Sequence, residues 1–379
     1  LTAPEKAPRT YALIVGGGTA GHVLPGVAIA QELVRRGHPT SSIHFVGSER
    51  GVERTLVPAA GFSLTMLPGR GIQRRLTTDN IGAVWGLLRA FAESFSLLRE
   101  RRPKLVVALG GYASVPAGLW AVLMRIPIVV AEQNAVPGLA NRLIGRFARA
   151  SAVSYDGTDL PRAVWTGNPV RPEILAVAAG TPDREAARAA LDVDSERSLI
   201  AVFGGSLGAR TINNAVVGAL DRLSDRDDLE IRHIIGSRDY DDVTSRVANA
   251  SSGVRYTPVE YEHDMATVYA AADLVVCRAG ATSCAELAVT GTPSVLIPLP
   301  GAPGDHQTAN ARALEAGGGA EVLADSIFDP ELFVDTVLRL LSNPSILKSM
   351  REGAAHVARP DAAQALADLV EIHSGKDRS

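Results

Sequence analysis

Near the start of the chain, Gly16-Gly17-Gly18-Thr19-Ala20-Gly21-His22 brings several kinds of chemistry together. Glycines allow a backbone turn tight enough to approach an anion. A helix opening there aims free N–H groups and its positive dipole end at the same anion. His22 adds an imidazole, and the helix start favours a neutral ring that can accept a proton. The letters also spell G-x-G-x-x-G through Gly16, Gly18 and Gly21, a dinucleotide fingerprint. That fingerprint wants an acid at the end of the second strand to bind a ribose. Val46 and Gly47 stand there, with Glu49 late.

A second turn, Gly204-Gly205-Ser206-Leu207-Gly208-Ala209, repeats the pattern after another apolar run, with Ser206 adding a hydroxyl donor. A third, Arg278-Ala279-Gly280, opens a helix in which Glu286 could accept from two ribose hydroxyls or simply be solvated. Gln307 and Asn310, three apart, share a helix face; such polar faces are usually solvated. Arg171 follows a proline-bounded turn and could reach a phosphate. Glu132 follows an apolar strand and is a second candidate base. Asp192-Val193-Asp194 and Asp225-Arg226-Asp227 spell the acidic triplet of metal-dependent transferases, but fall in charged segments read as solvated surface.

The elements that must carry these residues alternate. Strands are expected over 11–15, 43–46, 62–67, 105–109, 128–131 and 150–154, and helices over 23–36, 51–60, about 79–101, from 115, and around 139–147. Such alternation gives a parallel sheet covered on both faces. The pattern breaks near Gly167-Asn168-Pro169, where proline and an alanine-rich stretch suggest a domain boundary between about 165 and 195. It restarts with a strand over 198–203 and a helix over 211–223. Further strands follow at 231–235, 254–257, 274–277 and 294–298, with helices at 265–271, 281–289 and about 308–315. The expected division is an N-terminal Rossmann-like domain over 1–167 and a second over 168–360. A kink at Pro360 would send the final helix, 361–379, back onto the first domain.

A chain of 379 residues accommodates two such domains, and 46% hydrophobic with 21% charged residues is ordinary for a globular protein. The net charge of −3 argues against a general nucleic-acid binder. Two cysteines, Cys277 and Cys284, fit a reducing compartment. Residues 1–9 read as a loose polar tail without a secretory signal. Residues 105–124 hold no charge over the length of a membrane span, but Gly110, Gly111 and Pro116 interrupt them, so a buried strand, turn and helix are expected.

The glycine turns, together with Gly110-Gly111-Tyr112, Glu132-Gln133-Asn134, Gly167-Asn168-Pro169-Val170-Arg171 and Asp305-His306-Gln307, occur in one order along nearly the whole chain. In that order they resemble the MurG family of bacterial N-acetylglucosaminyltransferases, which make lipid II for peptidoglycan. The resemblance implies an α/β GT-B fold, two Rossmann-like domains with a cleft between them. It implies transfer of GlcNAc from UDP-GlcNAc to the C4 hydroxyl of MurNAc in undecaprenyl-diphosphate-MurNAc-pentapeptide (lipid I), with inversion and without metal or other cofactor. By matching motifs it places Ser206 and its loop at the diphosphate, with Arg171 near the donor. Glu286 would hold the uridine ribose, and Ala281, Thr282 and Ser283 would supply helix-start amides. Gln307, Thr19, Ala20, Gly21 and Asn134 would lie near the transferred sugar. Two departures are Ala20, where many relatives carry glycine, and Leu207, where a polar residue is common.

His22 is then the first candidate for the base, with Glu132 its rival. A lipid-linked acceptor requires contact with the cytoplasmic face of the membrane. The helix from Asp79 offers Ile81, Val84, Trp85, Leu87, Leu88, Phe91, Phe95 and Leu98, with Arg70, Arg74, Arg75 and Arg89 beside it, a surface suited to an anionic bilayer. Cell-wall assembly proteins are further partners this reading allows; nucleic acid is not. The competing readings are a UDP-GlcNAc epimerase of the same fold, an NAD-dependent oxidoreductase and a non-catalytic nucleotide-sugar sensor.

Overall fold

The computed structural model describes residues 10–49, 51–69, 79–205, 207–247 and 253–375, with the side chains of 79–84 outside that description. The N-terminal tail, the loop arginines Arg70, Arg74 and Arg75, and Ser206 therefore lie outside the described residues, as do the side chains of Ile81 and Val84. The chain divides into two compact units, Leu1–Arg171 with Pro360–Ser379, and Pro172–Arg359.

Unit 1 runs β1 (Ala12–Gly16), α1 (Ala20–Arg35), β2 (Ile43–Ser48), α2 (Glu53–Ala59), β3 (Ser63–Leu67), α3 (Asp79–Arg101), β4 (Leu105–Gly110), α4 (Ser114–Leu123), β5 (Ile128–Glu132), α5 (Leu139–Gly145), β6 (Ala150–Val153) and β7 (Ala163–Trp165). Its sheet has the order β3-β2-β1-β4-β5-β6-β7, with every pairing parallel. Alternate strand residues face opposite layers. Ala12, Ile14, Val107 and Val129 pack on one side with α1, and Leu13, Val15, Val106 and Val130 on the other with α3, α4 and α5.

Unit 2 runs α6 (Pro172–Ala178), α7 (Arg184–Ala190), β8 (Ser198–Phe203), α8 (Arg210–Ala219), β9 (Leu229–Ile234), α9 (Tyr240–Val247), β10 (Arg255–Val259), α10 (Met265–Ala271), β11 (Leu274–Cys277), α11 (Ala281–Thr290), β12 (Ser294–Leu296), α12 (His306–Ala316), β13 (Ala320–Val322), α13 (Pro330–Leu341) and α14 (Pro344–Val357). Its parallel sheet has the order β10-β9-β8-β11-β12-β13.

The last helix, α15 (Ala362–His373), belongs to unit 1 and buries Leu366, Ala367 and Val370 in the same layer as α1. Arg36 bonds Asp368 at 2.6 Å and Glu371 at 2.9 Å, and the Tyr11 hydroxyl lies 2.8 Å from Ser374 Oγ.

Several elements differ from the sequence expectation. The stretch expected as a linker forms α6 and α7. Asp183 caps α7 by accepting the Ala186 N–H at 2.8 Å, while Ile174 and Arg188 are buried. Helix α1 opens at Ala20 rather than Val23, so Gly21 and His22 sit in its first turn. The uncharged stretch 105–124 is β4, a turn and most of α4, and among the described residues no helix is long and apolar enough to cross a membrane.

Candidate functional site

Both sheets reverse their winding beside the first strand of the unit. In open α/β sheets, ligands bind outside the carboxyl ends of the strands at that reversal. In unit 1 it lies between β1 and β4, and in unit 2 between β8 and β11. Four glycine-bearing turns therefore flank two crevices. The turns after β1 and β4 share one, and those after β8 and β11 share the other.

In unit 1, Gly16, Gly17 and Gly18 all have positive φ, at 134°, 140° and 101°, which L side chains rarely adopt. Ser114, in the first turn of α4, ties the two strand ends together. Its hydroxyl accepts the Gly110 N–H at 3.0 Å and lies 2.8 Å from the carbonyls of both Val15 and Gly110. The Gly17 N–H donates to Gly110 O at 3.3 Å, and the Gly18 N–H to Glu53 Oε1 at 2.9 Å. These two glycine amides are thus used internally, one of them by a carboxyl that would repel a phosphate. The Gly17 and Gly18 amides are therefore not free to meet an anion. The next three amides, those of Thr19, Ala20 and Gly21 at the start of α1, meet no protein acceptor among the described residues.

Thr19 Oγ1 makes no cap bond and instead lies 2.9 Å from His22 Nδ1. This orients the ring over the exposed start of the helix. Glu132 ends β5 and is 3% exposed. Its Oε1 accepts from Asn134 N at 3.0 Å and Asn134 Nδ2 at 3.2 Å, and its Oε2 from Gly138 N at 3.0 Å and Asn141 Nδ2 at 2.9 Å. Four donors fill the lone pairs of both oxygens. Through these bonds Glu132, the second candidate for the base, orders the 133–138 loop and fixes Asn134. Arg171 is the last residue of unit 1, immediately before α6.

In unit 2, the turn after β8 closes through Gly208 N–H to Gly205 O at 2.9 Å. A Cβ on Gly208 would collide with Ile235 O, so only glycine permits that approach. A buried chain of polar groups backs the turn. Asn213 Nδ2 donates to Ile235 O at 3.2 Å and to Asp239 Oδ2 at 3.3 Å. Its Oδ1 therefore accepts from His233 Nε2 at 3.1 Å, leaving His233 Nδ1 to accept the Tyr256 hydroxyl at 2.9 Å. Burial pushes His233 down to about 3, so this ring is neutral. Hydrogen bonds from Arg238, ahead of the cost of burial, hold Asp239 below the ordinary carboxylate range. Among the described residues no carboxylate accepts from the glycine amides of this turn, unlike the turn in unit 1.

Helix α11 starts at the other lip of the same crevice. Ala281, Thr282 and Ser283 form its first turn, and Thr282 Oγ1 is buried without a protein partner. Glu286 is not a solvated helix residue: it is buried and accepts the Tyr269 hydroxyl at 3.0 Å. Gln307, in the first turn of α12, accepts the Leu299 N–H at 3.0 Å. Asn310 is fully buried and donates to Ala279 O at 3.2 Å, clamping the turn before α11. The two share a helix but not a solvated face.

The Asp192-Val193-Asp194 triplet serves its loop. Asp192 pairs with Arg255 at 2.6 Å, and Asp194 accepts the Glu196 N–H at 3.0 Å. Among the described residues, no group of three or more His, Cys, Asp or Glu side chains could hold a metal ion.

Comparison with known proteins bears on what these crevices serve. The glycosyltransferase family 28 N-terminal domain matches residues 12–153, and the family 28 C-terminal domain matches 199–366. A protein of Myxococcus xanthus is 41% identical over 362 residues, covering 94% of this chain and 91% of its own. It is named UDP-N-acetylglucosamine--N-acetylmuramyl-(pentapeptide) pyrophosphoryl-undecaprenol N-acetylglucosamine transferase. The chain belongs to the MurG family of glycosyltransferases. The crystal structure of Acinetobacter baumannii MurG superposes with a TM-score of 0.75 at 29% identity, covering 96% of this chain and 99% of that one. The two Rossmann-like units are thus those of the GT-B fold. A UDP-GlcNAc 2-epimerase of Neisseria meningitidis, at 11% identity and a TM-score of 0.66, shares the fold alone.

Residues of this MurG-family site that the sequence reading did not single out are Glu53, Ser114 and Asn213, with Asn310 given too little weight. Glu53 carries no motif. Asn213 sits four residues into α8, where only its contacts reveal it.

Proposed function

We propose that this chain transfers GlcNAc from UDP-GlcNAc to lipid I, giving lipid II for peptidoglycan. The observation that carries this reading is 41% identity across 94% of the chain to a protein named for that transfer. Each unit also has a sheet reversal flanked by glycine turns, the place where open α/β sheets bind ligands, which suits two substrates.

The donor binds unit 2. Its diphosphate meets the Gly204–Gly208 turn, Ser206 and the start of α8, where no carboxylate occupies the glycine amides. Helix-start donors and Arg171 stabilise the charge left on UDP as the glycosidic bond breaks. Glu286 holds the uridine ribose, and Thr282 Oγ1, buried and unpartnered, is available to the nucleotide. Gln307, Asn134 and Thr19–Gly21 meet the transferred sugar.

The acceptor binds unit 1. His22 accepts the proton of the MurNAc C4 hydroxyl as that oxygen attacks the anomeric carbon, and a single displacement inverts its configuration. For this the Nδ1–H donates to Thr19 Oγ1, so that Nε2 carries the lone pair. Proton and leaving group are handled by protein groups, so no metal is required.

The lipid tail brings the enzyme to the cytoplasmic face of the membrane. On α3, Trp85 is 67% and Leu88 56% exposed, with Arg89 beside them and Leu98 facing the core. Apolar groups with a basic neighbour favour an anionic bilayer surface.

Incubation with UDP-GlcNAc and a short-chain, water-soluble lipid I analogue tests the function. Release of UDP is expected only when the acceptor is present, and a chelator is expected to leave the rate unchanged. UDP release independent of acceptor would reject the transfer, and loss of rate with chelator would reject the metal-free step.

A further inference from the structure

Glu53 is the first residue of α2 and is 1% exposed. Glycines wall its carboxyl group: a Cβ on Gly17 or on Gly51 would collide with its oxygens. Oε1 accepts the Gly18 N–H at 2.9 Å and the Ser48 N–H at 3.2 Å, while Oε2 is buried with no partner among the described residues. Among the described residues no cation pairs with it. Burying a carboxyl group in this way is costly. An apolar side chain would fill the space without that cost, but it could not accept the Gly18 N–H.

The turn it holds has little else to fix it. Gly16, Gly17 and Gly18 carry no side chains to pack and have the widest backbone freedom of any residue type. Beyond the Ser114 bonds at the strand ends, the Gly17 N–H to Gly110 O at 3.3 Å and the Gly18 N–H to Glu53 at 2.9 Å tie the turn among the described residues, and the second is the shorter. Gly18 leads directly into Thr19, and Thr19 orients His22.

We propose that Glu53 is a positioning residue for the transfer reaction: through Gly18 it fixes the turn that presents Thr19 and His22 to the acceptor. This rests on the assignment of His22 to the acceptor hydroxyl. Glu53 touches no substrate and acts through backbone geometry. Misplacing a reacting group by about 1 Å costs on the order of 100-fold in rate.

The test compares Glu53→Gln with Glu53→Asp. Glutamine keeps the length and an oxygen acceptor for Gly18; aspartate keeps the charge but is shorter by about 1.5 Å. The expected result is that Gln retains kcat within about threefold while Asp loses on the order of 100-fold. The KM for UDP-GlcNAc, whose nucleotide is bound by the other unit, should change far less than kcat in both. Hydrogen exchange of the 16–22 backbone, followed by mass spectrometry, should be faster in the Asp variant and near wild type in the Gln variant. Wild-type kcat in the Asp variant overturns the proposal. So does unchanged exchange there, or equal loss in both variants with weakened donor binding. If the wild-type chain itself fails to transfer, the functional reading falls and the exchange measurement alone decides the role of Glu53 in the turn.

Discussion

His22 gains its place from two neighbours: Thr19, which bonds its Nδ1 at 2.9 Å, and Gly18, beside which a side chain would meet open space. Glu132, whose two oxygens accept from Asn134, Gly138 and Asn141, is proposed as a loop-ordering group and His22 as the base. Replacing His22 by Ala should therefore lower kcat by 100-fold or more, on the order expected for a lost general base, with donor KM little changed. Thr19→Val removes only the orienting bond and should cost about tenfold in kcat. Steady-state kinetics with varied donor checks both; wild-type turnover in His22→Ala would remove the imidazole from the chemistry. At this scale the sequence was partly legible. The glycines announced themselves because positive φ at consecutive positions leaves few other choices. Glu53 did not, because a glutamate at a helix start is commonplace and its partner lies 35 positions away. Asn310 looked solvated because polar helix positions usually are, and only its bond to Ala279 O reveals otherwise.

At the scale of elements, long apolar strands and the helices between them were readable from periodicity. The misses share a physical cause. β7 and β13 are three-residue edge strands with too little pattern to read. α6 and α7 are short alanine-rich helices whose burial comes from a few anchors such as Ile174 and Arg188. α1 starts three residues earlier than expected because Gly21 weakens the helix signal just where the turn feeds into it. Helix α3 carries the membrane prediction. Its inner face buries Ala90, Ser94, Leu97 and Leu98, and Trp120 Nε1 donates to Phe91 O at 2.8 Å, so the outer face is free of core duty. Trp85→Glu should weaken binding to anionic vesicles by about tenfold or more, the value of a lost apolar insertion. Turnover of a water-soluble acceptor should not change. Equal recovery of variant and wild type on sedimented vesicles would assign membrane contact elsewhere.

For the whole molecule, the same architecture is built twice and used differently. Each unit is a parallel sheet with a reversal beside its first strand, and each reversal is flanked by glycine turns. In unit 1 a buried carboxyl group occupies a glycine amide; among the described residues of unit 2 no carboxylate does so. That contrast supports the proposed placement of the nucleotide diphosphate on unit 2 and of the acceptor on unit 1, although both turns look like anion loops in sequence. The central claim is inverting transfer, as distinct from epimerisation of the donor on the same fold. Proton NMR of the sugar after incubation with UDP-GlcNAc, alone and with the short-chain acceptor, tests it most directly. The expected spectrum shows unchanged donor when it is alone and, with acceptor, a new β-linked GlcNAc on the MurNAc C4 oxygen. An epimerised UDP-sugar without acceptor, or an α-linked product with it, would contradict the claim.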